Sequence, residues 1–180
     1  MRAIHVFIVL ILITGLHGSS KAAEPCCGTE MTRADEAATG YDDRAIIRAI
    51  EGYAKGFIQR DVGLLMSLWD ARNADEVSYV AVELDQPLIG LQNMRPYYLS
   101  FLNSPFTVYS GDVTDVRIFQ KGDKAYVFCH FNWVYLTGPG GQVLEKPTRA
   151  TFVLRRSEGR WLYEHFHESI LFEPEPNSHR

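Results

Sequence analysis

The sequence predicts an α+β fold in which three N-terminal helices pack on one face of a strongly curved antiparallel sheet. Three observations carry this expectation. Apolar residues recur at helical spacing in the first half of the chain, as in Ile46, Ile47, Ile50, Tyr53, Ala54, Phe57 and Ile58. From Phe106 onward the chain is a succession of segments rich in Val, Tyr, Phe and Trp. Gly-Asp, Lys-Gly-Asp, Gly-Pro-Gly-Gly and Ser-Glu-Gly turns separate those segments and join antiparallel neighbours. Helices first and strands afterwards give a segregated layout, not an alternating parallel one.

The elements follow in order. Ile4 to Leu16 form an apolar run behind Arg2, and small or polar residues continue to Ala22 and Ala23, which is the layout of a secretory signal peptide over residues 1–23. The run is short for a bilayer span, so the expected product is secreted or periplasmic and keeps no stable membrane anchor after cleavage. Residues 24–41 are expected as a flexible leader, 42–172 as the domain and 173–180 as a tail. Asp42 and Asp43 are expected to cap the first helix, and Asp61 to cap a short second one whose inward stripe is Leu64, Leu65, Leu68 and Trp69. Glu76 to Val82 reads as a strand, and Pro87-Leu-Ile-Gly90 turns the chain into a third helix reaching about Leu102. The strands are expected at Phe106–Ser110, Val113–Phe119, Ala125–Leu136, Lys146–Arg156 and Arg160–Phe172.

Composition bounds the partners. The 180 residues carry 18 Lys plus Arg against 22 Asp plus Glu. Losing residues 1–23 removes Arg2 and Lys21 and no acid, leaving a net charge near −6, so no nucleic acid partner is expected. Three cysteines do not make a disulfide framework, and Cys129 inside an aromatic segment reads as a small buried hydrophobe. Phosphate-binding loops, dinucleotide fingerprints and nucleophile elbows are all missing, so no cofactor is implied.

The C-terminal hairpin is the most specific stretch. Arg149-x-Thr151 lies on its first strand, Gly159-Arg160-Trp161 at its turn, and Trp161-x-x-x-His165-x-His167-x-Ser169 on its second. This wording resembles the last hairpin of the SnoaL-like group of the NTF2-like superfamily, close to the association (hub) domain of calcium/calmodulin-dependent protein kinase II. The resemblance covers about Asp42 to Leu171. It implies a cone whose mouth is a pocket, on a scaffold that hosts cofactor-independent isomerases, cyclases, dehydratases and hydrolases as well as pure assembly domains.

Two-residue alternation places Trp161, Tyr163, His165, His167 and Ser169 on one strand face. His165 and His167 are then either two satisfied core imidazoles or a pocket acid/base pair. They could give two metal ligands, but no third stands out and no metal is expected. Tyr53 is the other catalytic candidate: it lies on the inner stripe of the first helix, where the ketosteroid isomerases of this fold keep an oxyanion-binding tyrosine. Trp69 and Tyr98 belong to an aromatic inventory able to line a cavity. Phe131 and Phe152 fall where hub domains carry pocket arginines, so the pocket is expected to be more apolar. Arg149 is expected either to brace the sheet or to pair with a carboxylate. The expected ligand is a small, partly apolar organic molecule, and the alternative is a non-catalytic binding or assembly domain. Strands with aromatic residues on both faces, only one of which helices can cover, lead to the expectation of a homodimer.

Overall fold

The computed structural model describes residues 33–171, with side chains from Asp42 onward. The expected signal peptide, the first part of the leader and the tail at 173–180 lie outside the described residues. Among the described residues no helix is long and apolar enough to cross a membrane.

Helix α1 spans Arg33–Ile58 and buries Ile46, Ile50, Tyr53, Ala54 and Phe57. It begins within the stretch expected to be a flexible leader, so Asp42 does not cap it. Instead Asp42 is nearly buried and accepts a hydrogen bond from Arg156 at 3.1 Å, tying the helix to the sheet. The chain leaves the helix through Arg60, whose positive φ of 54° lets the Asp61 amide reach Gly56 O at 2.9 Å, while the Arg60 amide reaches Phe57 O at 3.2 Å. Asp61 then caps α2 (Val62–Ser67) by accepting from the Leu64 amide at 2.9 Å, as expected. The strand expected at Glu76–Val82 shortens to β1 (Ser78–Val80), which pairs with β2 (Leu88–Ile89) before α3 (Leu91–Asn103).

Four long strands follow: β3 (Thr107–Lys121), β4 (Lys124–Leu136), β5 (Val143–Ser157) and β6 (Arg160–Ile170). The sheet order is β2-β1-β6-β5-β4-β3, antiparallel throughout except for the parallel β1–β6 pair. The turn expected at Gly111-Asp112 does not form, and β3 runs through it with register shifts near Tyr109 and near Asp115. Gly111 is there for space: a Cβ on it would lie 2.5 Å from the Trp133 ring.

A third irregularity decides which side chains reach the interior. Between Val153 and Leu154 the β5–β6 register shifts, so that Val153 faces His165 while Leu154 faces Tyr163, and Glu164 is the extra residue. Lys124 at 2.8 Å and Arg155 at 2.5 Å hold the Glu164 carboxylate on the outer face. Alternation reverses across this bulge. Trp161 and Tyr163 are buried before it, and Phe166 and Glu168 after it, whereas His167 is exposed.

Candidate active site

The inner faces of β3 to β6, with α1 and α3, enclose a cavity of about 260 Å³. Its apolar wall includes Phe57, Phe101, Phe106, Val108 and Tyr135, and its polar groups come from Tyr53, Tyr79, Glu83, Tyr97, Lys146, Thr148 and Glu168.

Glu168 is the central acid. It is only 7% exposed, because the bulge turns it inward opposite Ala150. Its Oε1 accepts hydrogen bonds from Trp133 Nε1 at 2.6 Å and from Thr148 Oγ1 at 2.5 Å. Oε2 makes no hydrogen bond among the described residues. One oxygen is therefore anchored to the wall while the other stays available to a ligand. Burial pushes the carboxyl above its ordinary range, against the bonds from Thr148 and Trp133, so it holds its proton more readily than a surface glutamate.

Tyr53 and Tyr79 form the second polar feature, a buried hydroxyl pair 2.6 Å apart. Tyr53 packs against Phe166 at a ring separation of 4.6 Å, and Tyr79 stacks on the same Phe166 at 5.2 Å. Both phenols are pushed well above their ordinary range by burial, so each stays a neutral donor. Nearer the mouth, the Tyr97 hydroxyl donates to the exposed Glu83, and Tyr97 packs beside Tyr79 with ring centroids 5.4 Å apart.

The structure divides the residues singled out from sequence. Tyr53 lines the cavity. His165 and His167 do not, because the bulge after Tyr163 puts both on the outer face, away from Trp161 and Tyr163. His165 hydrogen-bonds Ser78 through Nδ1 at 2.7 Å, and burial, with His167 secondarily, holds it below the usual imidazole range. His167 and Arg149 line an open outer groove with Asp115, Arg117, His130 and Ser169, in which Arg149 Nε donates to Ser169 Oγ at 2.9 Å. Trp69, Tyr98, Phe131 and Phe152 are buried core residues packed behind the cavity wall: Trp69 donates to Tyr98 at 3.3 Å, and Phe131 stacks on Trp133 at 4.9 Å. Burial pushes the Cys129 thiol up to about 12, so it is inert. Among the described residues no group of three His, Cys, Asp or Glu is placed to hold a metal ion.

Glu168 and Tyr79 were not singled out from sequence. A signal for Glu168 does exist: the apolar positions switch from odd (Trp161, Tyr163) to even (Phe166), which marks a change of phase within the strand.

A curled antiparallel sheet with helices packed on one side has counterparts among known proteins. Residues 46–173 match the SnoaL-like domain family. The chain belongs to the SnoaL-like family. No curated protein sequence matches it. Several solved structures share the SnoaL-like fold. A candidate dehydratase of the NTF2-like family from Streptomyces avermitilis is 23% identical, with a TM-score of 0.66, over 74% of this chain and 99% of that one. A candidate scytalone dehydratase from Novosphingobium aromaticivorans is 10% identical, with a TM-score of 0.67, over 76% of this chain and 89% of that one. A candidate calcium/calmodulin-dependent protein kinase type II association domain from Thiobacillus denitrificans is 20% identical, with a TM-score of 0.55, over 69% and 93% of the two chains. At these identities the likeness is one of fold.

Proposed function

We propose that this SnoaL-like domain binds a small, partly apolar, oxygen-bearing organic molecule in its inner cavity and moves a proton on it. Glu168 is the acid/base, and the Tyr53–Tyr79 pair polarises the oxygen. The observation that carries this reading is the buried Glu168 carboxyl, anchored through one oxygen to Trp133 and Thr148 within a cavity that also holds the two phenols. In its ionised form Glu168 takes a proton from a carbon next to a carbonyl. Negative charge then develops on the carbonyl oxygen, where phenol donors stabilise it. Glu168 returns the proton either to the γ-carbon of a β,γ-unsaturated ketone, giving isomerisation, or to a hydroxyl leaving from the β-carbon, which departs as water as the α,β double bond forms. A raised carboxyl pKa suits both halves of this cycle, since the group is a stronger base when ionised and recaptures the proton readily. Structures named as candidate dehydratases on the same fold support the elimination branch.

The test is solvent deuterium exchange, followed by NMR, at the α-carbon of small cyclic ketones such as 2-tetralone. The wild-type protein is expected to accelerate exchange, and Glu168→Gln to abolish the acceleration. Equal exchange with wild type and Glu168→Gln, or no acceleration by wild type across a ketone panel, refutes the assignment.

A second reading concerns assembly and is compatible with the first. On the outer face Phe119, Tyr126 and Phe128 are 58, 47 and 46% exposed, with Phe119 packed edge-on against Phe128 at 6.0 Å. No element among the described residues covers this face, and structures named as kinase association domains share the fold. We propose a second copy of the chain as its occupant, giving a homodimer through the sheets.

A further inference from the structure

We propose that the inner cavity selects an anionic ligand, an aromatic or alicyclic oxo- or hydroxycarboxylate, whose carboxylate pairs with Lys146 while its ring lies against Trp133. This rests on the reading of the cavity as a ligand site and names the class of molecule it takes.

Lys146 lies on the inner face of β5, directly opposite Trp133 on β4 and two residues before Thr148. Its side chain lines the cavity and is half-buried. No ion pair among the described residues includes it. A partly desolvated ammonium facing an enclosed space gains most from a counter-ion that arrives with the ligand. Neither carboxylate of the cavity pairs with it at ion-pair distance: Glu83 receives the Tyr97 hydroxyl, and Glu168, held through Oε1 by Thr148 and Trp133, interacts with Lys146 only at longer range. Burial raises the Glu168 carboxyl more than Lys146 lowers it, so this acid competes for the ammonium less than a surface glutamate would.

Spacing fits the same class. Lys146 and Thr148 are two residues apart on one strand face, roughly 7 Å between their Cα atoms. Thr148 orients Glu168, so a ligand held by its carboxylate at Lys146 presents carbons about one ring's length away to the acid. Phe57, Phe101, Phe106 and Tyr135 supply the apolar surface for that ring.

The experiment is isothermal titration calorimetry with 2-naphthoate and 2-naphthamide, which share the ring system and differ in charge. Wild type is expected to bind naphthoate about ten-fold or more tighter than naphthamide, as a charge-assisted contact implies. Lys146→Met is expected to erase the preference, and Lys146→Arg to retain it. Equal affinity of wild type for the two probes, or a preference that survives in Lys146→Met, overturns anion selection and leaves the ligand-site reading standing. Absence of binding by both probes sinks the ligand-site reading and this inference with it.

Discussion

Gly111→Ala should destabilise the domain although it adds one methyl group to an ordinary extended backbone. The new Cβ would sit 2.5 and 2.7 Å from Trp133 Cζ3 and Cε3 and 2.9 Å from Ala54 Cβ. Comfortable carbon contacts are about 3.5 to 4.0 Å, so the indole must retreat by about 1 Å. Its only free direction is toward the cavity it lines. Phe131 stacks on it at 4.9 Å, Tyr53 and Phe57 meet it edge-on at 5.9 and 6.2 Å, and Nε1 is tied to Glu168, so moving that way disturbs all of these contacts. Overpacking of this kind costs about 1 to 3 kcal/mol, and loosening the hydrogen bond to Glu168 adds about 1 kcal/mol. The loss of glycine entropy from the unfolded chain returns about 0.4 to 1 kcal/mol. The net is a loss of about 1 to 3.5 kcal/mol, or roughly 3 to 15 °C in Tm for a domain of this size. Thermal melts of Gly111→Ala in the wild-type and Trp133→Phe backgrounds provide the assay, because the smaller Phe ring should relieve most of the cost. A melting point within about 1 °C of wild type refutes the steric argument, as does the same loss in both backgrounds.

Other outcomes follow from the site. The raised folded pKa of Glu168 means that the folded chain holds its proton at pH values where the unfolded chain, with an ordinary value of 4.5, has released it. This group therefore removes stability as pH rises from the unfolded value to the folded one. Glu168→Gln should lose less stability than wild type over that window, and parallel Tm profiles between pH 4 and 8 would contradict this. Tyr53→Phe leaves the buried Tyr79 hydroxyl without its partner and should cost about 1 to 3 kcal/mol in denaturant titrations while slowing ketone exchange. Unchanged exchange would remove Tyr53 from the mechanism. Phe128→Glu on the outer face should give monomer mass by light scattering at micromolar concentration where wild type gives dimer, and a monomeric wild type would end the assembly proposal. Export should leave an N-terminus near Ala23 or Glu24, checked by mass spectrometry of secreted protein.

Much of the architecture is legible in the residues because it depends on local chemistry. Asp61 announces a helix start, the inner stripe of α1 has strict helical spacing, and Val- and aromatic-rich segments between short turns give three of the four long strands almost to their ends. The misreadings share one physical cause, a local rule overridden by a tertiary contact. Gly111-Asp112 has turn chemistry, yet the glycine serves the approach of Trp133. Asp42 has cap chemistry, yet it pairs with Arg156, distant in sequence. Of the candidate site, the cavity-lining position of Tyr53 was legible, because its place on the helix stripe fixes its direction. That of Glu168 was hidden, because strand parity holds only while the ladder is unbroken and a single extra residue at Glu164 inverts everything beyond it. His165 and His167 drew attention through their residue type, whereas their direction is set by hydrogen bonding to β5.

That inversion has an implication for how such a pocket changes its chemistry. Straightening the strand so that Glu164 takes a regular place in the ladder, with no residue removed, would continue the alternation of Trp161 and Tyr163, bringing His165 and His167 to face the cavity and sending Phe166 and Glu168 outward. A slip of one residue would thus exchange a buried carboxyl for a pair of imidazoles without altering any side chain. Deleting Glu164 would instead remove the bulge and leave every later residue facing as it does now, so NMR titration of the histidines in that variant should find their wild-type solvent contact, and imidazoles that lost it would show that the strand had slipped. The tip of a strand in a sheet of this kind is a switchable cassette, in which register, as much as composition, determines what the ligand meets.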